Sequence, residues 1–477
     1  MHHALDFAGM PREVDIASVP QLNGIFAPIQ SELTDAPCEV IQGAIPDDLA
    51  GAYVRNGPNA RFPPIGSYTF PLDGDGMVHA ISFAGGRARY RNRYVRTPSL
   101  AAEEKAGRAL WGGVLTPSAP SAEEVGPTLA QKPFRDMPDI NVVRHGGRLL
   151  ALAEGDTPFA LSEKLDTAGP WDFSGALRAG MCAHPKIDPV TGEMIVFRYG
   201  LERPFLDWAV VGADGAVTRP PETIEIDAPY MIHDCAITEQ FLVLFVCPLR
   251  FDFEAKDVLA WEPKRGTRIA VIRRDAGAAK IRWFQTEAFW VWHFANAYQE
   301  GSGDDTRIVV HYPYWSHPGF DRSRPATGGI HRTSLNLGTG VVSVEQRLSR
   351  ICEFPRIDDR RLGRAHRYFH AAAKDPDAPG GQGVWNGLIR YDLHSGAIVE
   401  RRMDKVAVGE AVFAPGAKGN GTDENAGYLL TYEYDSESLE TRFLILAAGD
   451  IAGEPAATLR MPQRVPFGLH GNWIPGA

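Results

Sequence analysis

Short apolar runs alternate with polar segments along almost the whole chain of 477 residues. The runs are rich in Val, Ile, Tyr and Phe, as is typical of β-strands, with MVHAISF, RLLALAE, FLVLFVC, RIVVHY and RFLILAAG as examples. Glycine-containing turns separate several neighbouring runs, among them AGGR at 84–87, HGGR at 145–148, GADG at 212–215 and LHSG at 393–396. The pattern therefore predicts an all-β chain built from successive hairpins.

No sharp repeat of the WD or kelch kind accompanies these strands, so their periodicity leaves a propeller, a sandwich and a barrel open. The clearest helical segment covers residues 98–111 and is followed by irregular sequence to about residue 138. An insertion of this length in a β protein often caps a site, and residues 248–262 form a second candidate. No linker divides the chain, so we expect a single domain over residues 1–477.

The composition mainly excludes certain classes of protein and of binding partner. A hydrophobic fraction of 44% with 23% charged residues is typical of a globular protein with a substantial core. The net charge of −10 argues against nucleic acid and against an anionic membrane surface as partners held by bulk charge. The N-terminal sequence lacks a basic region followed by an apolar run, and no segment is long enough to span a bilayer, so we expect a cytoplasmic protein.

The five cysteines are odd in number and form no CxxC pair. We expect reduced thiols in the core. Cys182 and Cys235 each lie two residues from a candidate metal-ligating histidine, but neither has a partner at a spacing typical of zinc sites. Thiolate ligation is therefore the weaker interpretation.

Four histidines stand out because each lies in a distinctive context of apolar or small residues. They are His184 in AHPKIDP, His233 in YMIHDCAIT, His293 in WVWHFANAY and His470 in GLHGNW. Imidazole is a common metal ligand, and these four show no local HxH or HExxH spacing. A site made from them must be assembled by the fold, which favours a closed, radial architecture. Taken singly, each is more often a hydrogen-bonded core residue.

Three glutamates in apolar surroundings favour a metal site over four separate core histidines, since an unpaired buried charge would be costly. They are Glu154 in LLALAEGDTP, Glu353 in CEFPRID and Glu410 in GEAVFAP. Together with RNGPN at 55–59, DGDGMVH at 73–79 and GLHGNW near the C-terminus, the sequence closely resembles the carotenoid cleavage oxygenase family. The resemblance covers nearly the whole chain through seven separately placed motifs.

The resemblance implies a seven-bladed β-propeller with a helical cap over its top face and a non-haem Fe(II) on the propeller axis. The positions that match the family's iron ligands are His184, His233, His293 and His470. The positions that match its carboxylates, which accept hydrogen bonds from the ligand imidazoles, are Glu154, Glu353 and Glu410. Four neutral imidazoles fill four of six octahedral positions and leave two for O₂ and for water or substrate. Each carboxylate would fix a tautomer and raise ligand basicity. Zinc or copper would also accept an all-histidine site, so iron rests on the resemblance.

The resemblance also implies oxidative cleavage of a carbon–carbon double bond by O₂ into two carbonyl products. Phenol-cleaving relatives carry a lysine directly before the first of these glutamates and a tyrosine upstream. Here Ala153 precedes Glu154, and WGGVLTP places Gly112, Gly113 and Val114 about where that tyrosine would stand. A buried phenol without a partner would lose roughly 1 to 3 kcal/mol. We therefore favour an apolar polyene substrate, a carotenoid or an apocarotenoid, over a stilbene or phenylpropene.

Several residues are candidates for a substrate tunnel, with Phe70 and Trp111 favoured because they lie near the expected cap. Ile140 stands where many relatives have threonine, and its branched side chain could crowd an open metal position. Other aromatic candidates are Phe289, Trp290, Trp292, Tyr312, Tyr314 and Trp315. More of these are expected in the propeller core than in the tunnel.

Alternative functions remain open at this point. A stilbenoid-cleaving dioxygenase would use the same iron with another pocket, and isomerohydrolase chemistry would use the same metal without consuming O₂. A non-catalytic propeller that binds an apolar polyene would hold no tightly bound iron. Peripheral membrane contact through residues 98–138 or 248–262 is a further hypothesis, although their charged residues favour solvated loops. No protein partner is predicted.

Overall fold

The structure, a computed structural model, describes residues 12–252, 258–320, 325–374, 384–403, 405–417 and 423–476. It is a seven-bladed β-propeller, which confirms the fold class expected from the sequence. Each blade is an antiparallel sheet, and its innermost strand faces the central axis.

The strands of each blade follow in order from the axis outward. Blade 1 contains Gly471–Pro475, Gly51–Arg55, Met77–Ala84, Arg87–Tyr94 and Ala36–Pro37. Blade 2 contains Asn141–His145, Arg148–Leu152, Phe159–Leu161 and Thr167–Pro170. Blade 3 contains Lys186–Ile187, Met194–Tyr199, Leu206–Val211 and Val217–Thr223. Blade 4 contains Ala236–Ile237, Phe241–Val246, Thr267–Arg273 and Arg282–Thr286.

The remaining blades complete the ring. Blade 5 contains Asn296–Glu300, Arg307–Trp315, Gly328–Asn336 and Val342–Leu348. Blade 6 contains Cys352–Arg356, Tyr368–Ala373, Gly387–Asp392 and Ile398–Arg402. Blade 7 contains Val406–Val408 and Val412–Pro415, which both pair with Gly427–Asp435, followed by Thr441–Ala447, Ala457–Arg460 and Glu39–Gly43.

Both ends of the chain close the propeller. The C-terminal strand Gly471–Pro475 pairs with Gly51–Arg55 inside blade 1, and the N-terminal strand Glu39–Gly43 pairs with Ala457–Arg460 at the edge of blade 7. Strand pairs between residues more than 400 positions apart therefore complete blades 1 and 7. This closure also brings His470 to the axis beside histidines from the middle of the chain.

Side-chain burial follows the position of a strand within its blade. Met77–Ala84 alternates between buried and more exposed residues toward its end, whereas all six residues of Leu206–Val211 and all six of Phe241–Val246 are buried. Inner and central strands are buried on both faces because the neighbouring blades pack against them. Each fully buried Val, Leu or Phe contributes roughly 1.5 to 3 kcal/mol of transfer free energy, so the blade interfaces stabilise the ring.

The helical cap expected near residues 98–111 is present but shorter. Helix Pro98–Ala106 begins after Thr97, whose side chain accepts a hydrogen bond from the Leu100 amide, and ends at Gly107, which adopts a φ of +70°. A left-handed residue at this position terminates a helix, and glycine adopts it without strain. A second helix, Ala122–Val125, carries a capping box. Arg135 then contacts both Asp75 and Glu103 at 3.3 Å, which joins the cap to the DGDG segment of blade 1.

Eight short 3₁₀ segments complete the regular structure of the described residues. They are Ile16–Ser18, Pro20–Leu22, Gly24–Phe26, Leu129–Gln131, Pro263–Arg265, Ala278–Lys280, Gly303–Asp305 and Asp359–Arg361. The second predicted insertion forms a two-stranded sheet of Leu249–Phe251 and Leu259–Trp261, and residues 253–257 within it lie outside the described residues. Within the described part of the chain, no helix is long and apolar enough to cross a membrane.

Candidate metal centre

Four histidines meet where the innermost strands of four blades begin. His184, His233 and His293 lie two or three residues before the innermost strands of blades 3, 4 and 5. His470 lies directly before the innermost strand of blade 1. We call these residues the four-histidine cluster. The ring closure therefore brings together imidazoles that are up to 286 positions apart in sequence, counted from 184 to 470.

The Nε2 atoms of the cluster face one another. They are 3.1 Å apart between His184 and His233, 3.2 Å between His233 and His293, and 3.1 Å between His293 and His470. All four potential ligand atoms lie within 4.8 Å of one another. The side chains are buried or nearly so, and the cluster thus surrounds one point near the propeller axis.

Three carboxylates hold the other nitrogen of three of these rings. The Nδ1 atom of His233 is 2.9 Å from Glu154 Oε1, that of His293 is 2.6 Å from Glu353 Oε2, and that of His470 is 3.2 Å from Glu410 Oε1. A carboxylate accepts a hydrogen bond, so Nδ1 carries the proton in each ring. We call these glutamates the three-carboxylate shell. His184 is the imidazole outside these three pairs.

Each of the seven blades contributes one residue to this centre. Blades 1, 3, 4 and 5 provide the histidines, and blades 2, 6 and 7 provide the glutamates. Glu154 follows strand Arg148–Leu152, Glu353 lies in strand Cys352–Arg356, and Glu410 lies between the two inner strands of blade 7. The radial symmetry of the fold thus supplies seven inward-facing positions, which are divided between histidines and glutamates.

The tautomers make the cluster well suited to bind a cation. Because Nδ1 carries the proton in three of the rings, their Nε2 atoms present lone pairs toward a common point at about hydrogen-bond distance. Neutral imidazoles in this arrangement repel one another unless a positive charge lies between them. The donor set therefore fits a divalent metal ion, and the carboxylates beyond the rings offset its charge.

The spacing of the donors lies between the values for octahedral and tetrahedral geometry. At a metal–nitrogen distance of about 2.1 Å, donors at right angles are about 3.0 Å apart, whereas tetrahedral donors are about 3.4 Å apart. The Nε2 separations of 3.1 and 3.2 Å lie between these two values. Five ring pairs of the cluster have centroids 4.5 to 5.1 Å apart. The arrangement is compatible with two coordination positions left for O₂ and a further ligand.

Burial and charge set the protonation of the centre. Burial, together with the neighbouring imidazoles, lowers the pKa of His184 well below its usual value. Burial also lowers the pKa of His470, against the opposing effect of Glu410. The pKa of Glu410 falls to about 2 because Arg356 and His470 outweigh the raising effect of burial. Burial acts to lower the pKa of His293, but Glu353 outweighs it and raises that pKa. Neutral His184 and His470 beside an ionised Glu410 are the forms that metal binding requires, and His293 must also be neutral to bind a metal.

Further side chains complete the hydrogen bonding of the carboxylates. Sequence analysis considered Trp315 only as an aromatic tunnel candidate and did not identify the others. Tyr199 donates to Glu154 Oε1 at 2.7 Å, and Trp315 Nε1 donates to Glu353 Oε1 at 2.9 Å. Arg356 lies 3.4 Å from Glu410 Oε2. Arg356 lies three residues after Glu353 on the same short strand, so its closeness in sequence to a predicted site residue indicates a position near the centre. Tyr199 and Trp315 come from distant strands and carry no such signal.

Phe354 adopts a φ of +53°, which is unusual for a residue with a side chain. The pairing of its strand shifts register between Glu353 and Arg356, so the normal alternation of side chains is broken there. As a result both Glu353 and Phe354 reach the cluster, with the Phe354 ring 5.4 Å from the His293 ring and 5.4 Å from the His470 ring. The local distortion thus provides a carboxylate and an apolar wall from adjacent residues.

The two cysteines near the cluster are directed away from ligation. Cys182 Sγ lies 3.0 Å from the backbone oxygen of His233, and Cys235 Sγ lies 3.7 Å from that of His184. Burial raises the pKa of both thiols. They act as weak donors that join the loops carrying His184 and His233. All five cysteines are buried and free.

The four residues proposed for a substrate tunnel occupy different environments. Ile140 is buried, and its carbonyl oxygen accepts a hydrogen bond from the His470 amide at 3.2 Å, so it lies beside the centre. Ala153 is buried directly before Glu154. Phe70 packs edge-on against Phe26, and Trp111 is buried in the cap, with its indole N–H donated to the Lys132 carbonyl. A tunnel role for these four stays a prediction.

Among the other aromatic candidates, Trp292 lies nearest to the cluster, with its ring 5.1 Å from that of His233. It also contacts Phe320, which is 40% exposed, at 5.7 Å. By contrast Phe289, Trp290 and Tyr312 are almost fully buried in the core between blades 4 and 5. Aromatic contacts therefore connect the cluster to the protein surface through Trp292 and Phe320.

Comparison with known proteins agrees with this centre. The family model of retinal pigment epithelial membrane protein matches residues 26–475. The carotenoid cleavage oxygenase of Mycobacterium tuberculosis is 32% identical, with 96% of this chain and 97% of the relative aligned. Lignostilbene dioxygenase of Pseudomonas brassicacearum superposes with a TM-score of 0.87 at 27% identity, covering 98% of this chain and all of the other. Cobalt-substituted apocarotenoid oxygenase of Synechocystis gives 0.81 at 28% identity, covering 94% and 97%.

The fold and the axial centre thus define a propeller-type oxygenase. More narrowly, the chain belongs to the family of retinal pigment epithelial membrane protein and the carotenoid cleavage oxygenases. It is an enzyme of the carotenoid cleavage dioxygenase type.

Proposed function

We propose that this chain is a non-haem Fe(II) dioxygenase that cleaves one double bond of a carotenoid or apocarotenoid into two carbonyl products. The observation that carries the proposal is the convergence of four Nε2 atoms within 4.8 Å, three of them on rings whose other nitrogen meets a carboxylate. One alkene and one O₂ contain all the atoms of two carbonyls, so the reaction needs no external reductant.

The four-histidine cluster would hold the iron, and a bound Fe(II) would supply the activation of O₂ at the positions that the histidines leave open. The three-carboxylate shell keeps the Nδ1 protons in place, so the Nε2 lone pairs remain available and correctly oriented. Phe354 and Trp292 provide apolar walls beside the rings of His293 and His233. Such walls exclude water and can pack against a flat polyene.

The residues around the missing phenol clamp support an apolar substrate. A Cβ atom on Gly113 would lie 2.3 Å from the Ser67 carbonyl oxygen, and one on Gly112 would lie 2.1 Å from the Thr116 carbonyl oxygen. Both contacts involve backbone, so no side chain fits at either position without a shift of the chain. With Ala153 in place of a lysine, neither clamp position carries a group that binds a phenol.

The test is product analysis with purified, Fe(II)-loaded protein that is offered an apocarotenal or a hydroxystilbene, each with and without O₂. Oxygen-dependent aldehydes from the apocarotenal support the proposal, and turnover without O₂ would indicate isomerohydrolase chemistry. His293→Ala is expected to abolish turnover and most iron binding. His311→Gln replaces a buried imidazole of the same blade outside the cluster and serves as the control, with iron retained. Full activity and normal iron in His293→Ala would contradict the assignment.

A stilbenoid substrate is the second candidate, and the similarity to lignostilbene dioxygenase favours it. Tyr68, which is partly buried near Asp139 and Asp73, could then bind the phenol instead of the missing clamp. Cleavage of the hydroxystilbene, lost in Tyr68→Phe, would support this alternative.

We further propose that a membrane-derived substrate enters beside Phe320. This residue is 40% exposed and connects through Trp292 to the His233 ring. Flotation with phosphatidylcholine vesicles is expected to recover the protein, and Phe320→Ser is expected to reduce that recovery. Val190→Ser, at a residue 72% exposed that lies next to the Asp188 ion pair, is the control. Equal recovery of both variants would contradict this entry route.

A further inference from the structure

A single carboxylate joins three of the four loops that carry the histidines. Asp234 follows His233, and its side chain is almost fully buried. Its Oδ1 atom accepts hydrogen bonds from the Cys235 amide at 2.7 Å and from Lys186 Nζ at 2.7 Å. Its Oδ2 atom accepts from the Phe294 amide at 2.9 Å. Lys186 lies two residues after His184, and Phe294 directly follows His293.

A second side chain joins the remaining loop. Asn141 donates to the carbonyl oxygen of Ala183 at 2.9 Å, directly before His184. Its Oδ1 atom accepts from Asn472 Nδ2 at 3.0 Å, two residues after His470. Asn141 thus links blades 2, 3 and 1, as Asp234 links blades 4, 3 and 5.

Arg356 closes the series between the loops of blades 6, 7 and 1. Its Nη1 atom donates to the Gly471 carbonyl at 2.7 Å and lies 3.4 Å from Glu410. Its Nη2 atom donates to Asn472 Oδ1 at 3.3 Å. Asp234, Asn141 and Arg356 therefore form a polar belt that connects consecutive ligand loops around the axis.

We propose that Asp234 is the main positioning residue of this belt and fixes the spacing of His184, His233 and His293 for metal binding. It has no contact with the metal position, so it acts through the loops that its two oxygens join. The inference rests on the proposed metal function of the cluster. The need is greatest at His184, because that ring lies outside the three carboxylate pairs and depends on its loop for orientation.

The contacts of Asp234 differ from those of an ordinary buried ion pair. Two of its three partners are backbone amides of ligand loops, so its removal frees main chain beside the histidines. An asparagine has the same shape but only one acceptor oxygen, and its NH₂ group would meet one of three donors. Asp234→Asn therefore leaves at least one donor without an acceptor while the packing is preserved.

The experiment measures Co(II) binding to the metal-free protein by competition with a chelator, together with the visible absorption of the bound ion. Asp234→Asn is expected to weaken Co(II) affinity by about 10- to 100-fold and to alter the absorption band, which reports coordination geometry. Asp188→Asn is the matched control. Asp188 is equally buried, pairs with Arg274 at 2.7 Å and with Arg364 at 3.2 Å, and lies four residues after His184. It is expected to lower thermal stability without change in affinity or spectrum.

A double variant separates position from charge. Asp234→Asn alone removes the negative charge opposite the Lys186 ammonium, whereas Lys186→Met with Asp234→Asn removes both charges. Affinity that stays low in the double variant supports positioning, and affinity restored to the wild-type value would overturn it. Wild-type affinity and spectrum in Asp234→Asn would also overturn it. Failure of the wild-type protein to bind Co(II) at all would instead contradict the proposed metal function.

Discussion

Replacement of Glu353 by glutamine tests the role of the carboxylates directly. Glu353 accepts three hydrogen bonds, from His293 Nδ1 at 2.6 Å, from the Phe354 amide at 2.8 Å and from Trp315 Nε1 at 2.9 Å. Glutamine keeps the length of the side chain, but one of its two terminal atoms becomes a donor. If the amide oxygen stays with His293 and Phe354, the NH₂ group meets the indole N–H of Trp315.

The size of the effect follows from these contacts. A buried donor that loses its acceptor costs about 1 to 3 kcal/mol, and a charge-assisted bond to the ligand imidazole becomes a neutral one. We expect metal affinity to fall by about 10- to 100-fold, which is about 1.4 to 2.7 kcal/mol. Turnover at saturating iron is expected to fall as well, because a less basic imidazole donates less charge to the metal.

Chelator competition on the metal-free protein measures the affinity. Trp315→Phe removes only the indole donor and is expected to change affinity much less than Glu353→Gln. The double variant Trp315→Phe/Glu353→Gln removes the indole N–H that faces the glutamine NH₂ group. It is expected to recover part of the loss, so a double-mutant cycle gives a nonzero coupling energy. Wild-type affinity in Glu353→Gln would refute the argument that the carboxylate tunes His293.

Three further predictions concern the rest of the molecule. Gly113→Ala is expected to lower the free energy of unfolding by about 1 to 3 kcal/mol in denaturant titration, because its Cβ would lie 2.3 Å from the Ser67 carbonyl oxygen; no loss would show that the chain relaxes there. Burial lowers the pKa of His370 from 6.5 to about 4, so between these pH values the unfolded chain binds more protons than the folded chain. The free energy of unfolding should therefore fall as the pH drops from 6.5 to 4. His370→Gln should flatten this slope by up to about 1.4 kcal/mol per pH unit, and an unchanged slope would contradict the prediction. Finally, the five buried thiols should resist a thiol reagent until unfolding, and the Co(II) protein should lack thiolate charge-transfer absorption, whose presence would point to Cys182 or Cys235 as a ligand.

The β-propeller could be predicted from the sequence only with the help of the family resemblance. The strand and turn pattern indicated antiparallel hairpins, but it could not count blades, because no repeat signature marks where one blade ends. Closure depends on pairing of Gly471–Pro475 with Gly51–Arg55, a contact that no local pattern specifies. The cap helix was predicted to start near Pro98, and its early end followed from Gly107, whose left-handed conformation the composition alone did not require.

The candidate centre could likewise be predicted from the sequence only in part. The four histidines and three glutamates could be identified because they lie among apolar residues, where a buried charge or imidazole needs a partner. The structure brings all seven together. The residues that donate hydrogen bonds to these glutamates could not be identified from the sequence. Tyr199 and Trp315 look like ordinary core aromatics in sequence, and their function lies in one N–H or O–H directed at a carboxylate. Such roles depend on side-chain direction across blades, which sequence periodicity does not encode.

The distribution of one centre residue per blade explains why these supporting contacts matter. Seven loops must converge within a few ångströms, yet each belongs to a separate sheet whose position is set by packing at the blade interfaces. Small shifts between blades would move the Nε2 atoms apart unless polar contacts join the loops directly. Asp234, Asn141 and Arg356 make such contacts between different blades. The geometry of the centre is therefore a property of the belt as much as of the histidines, and substitutions in the belt should affect metal binding more than they affect the stability of any single blade.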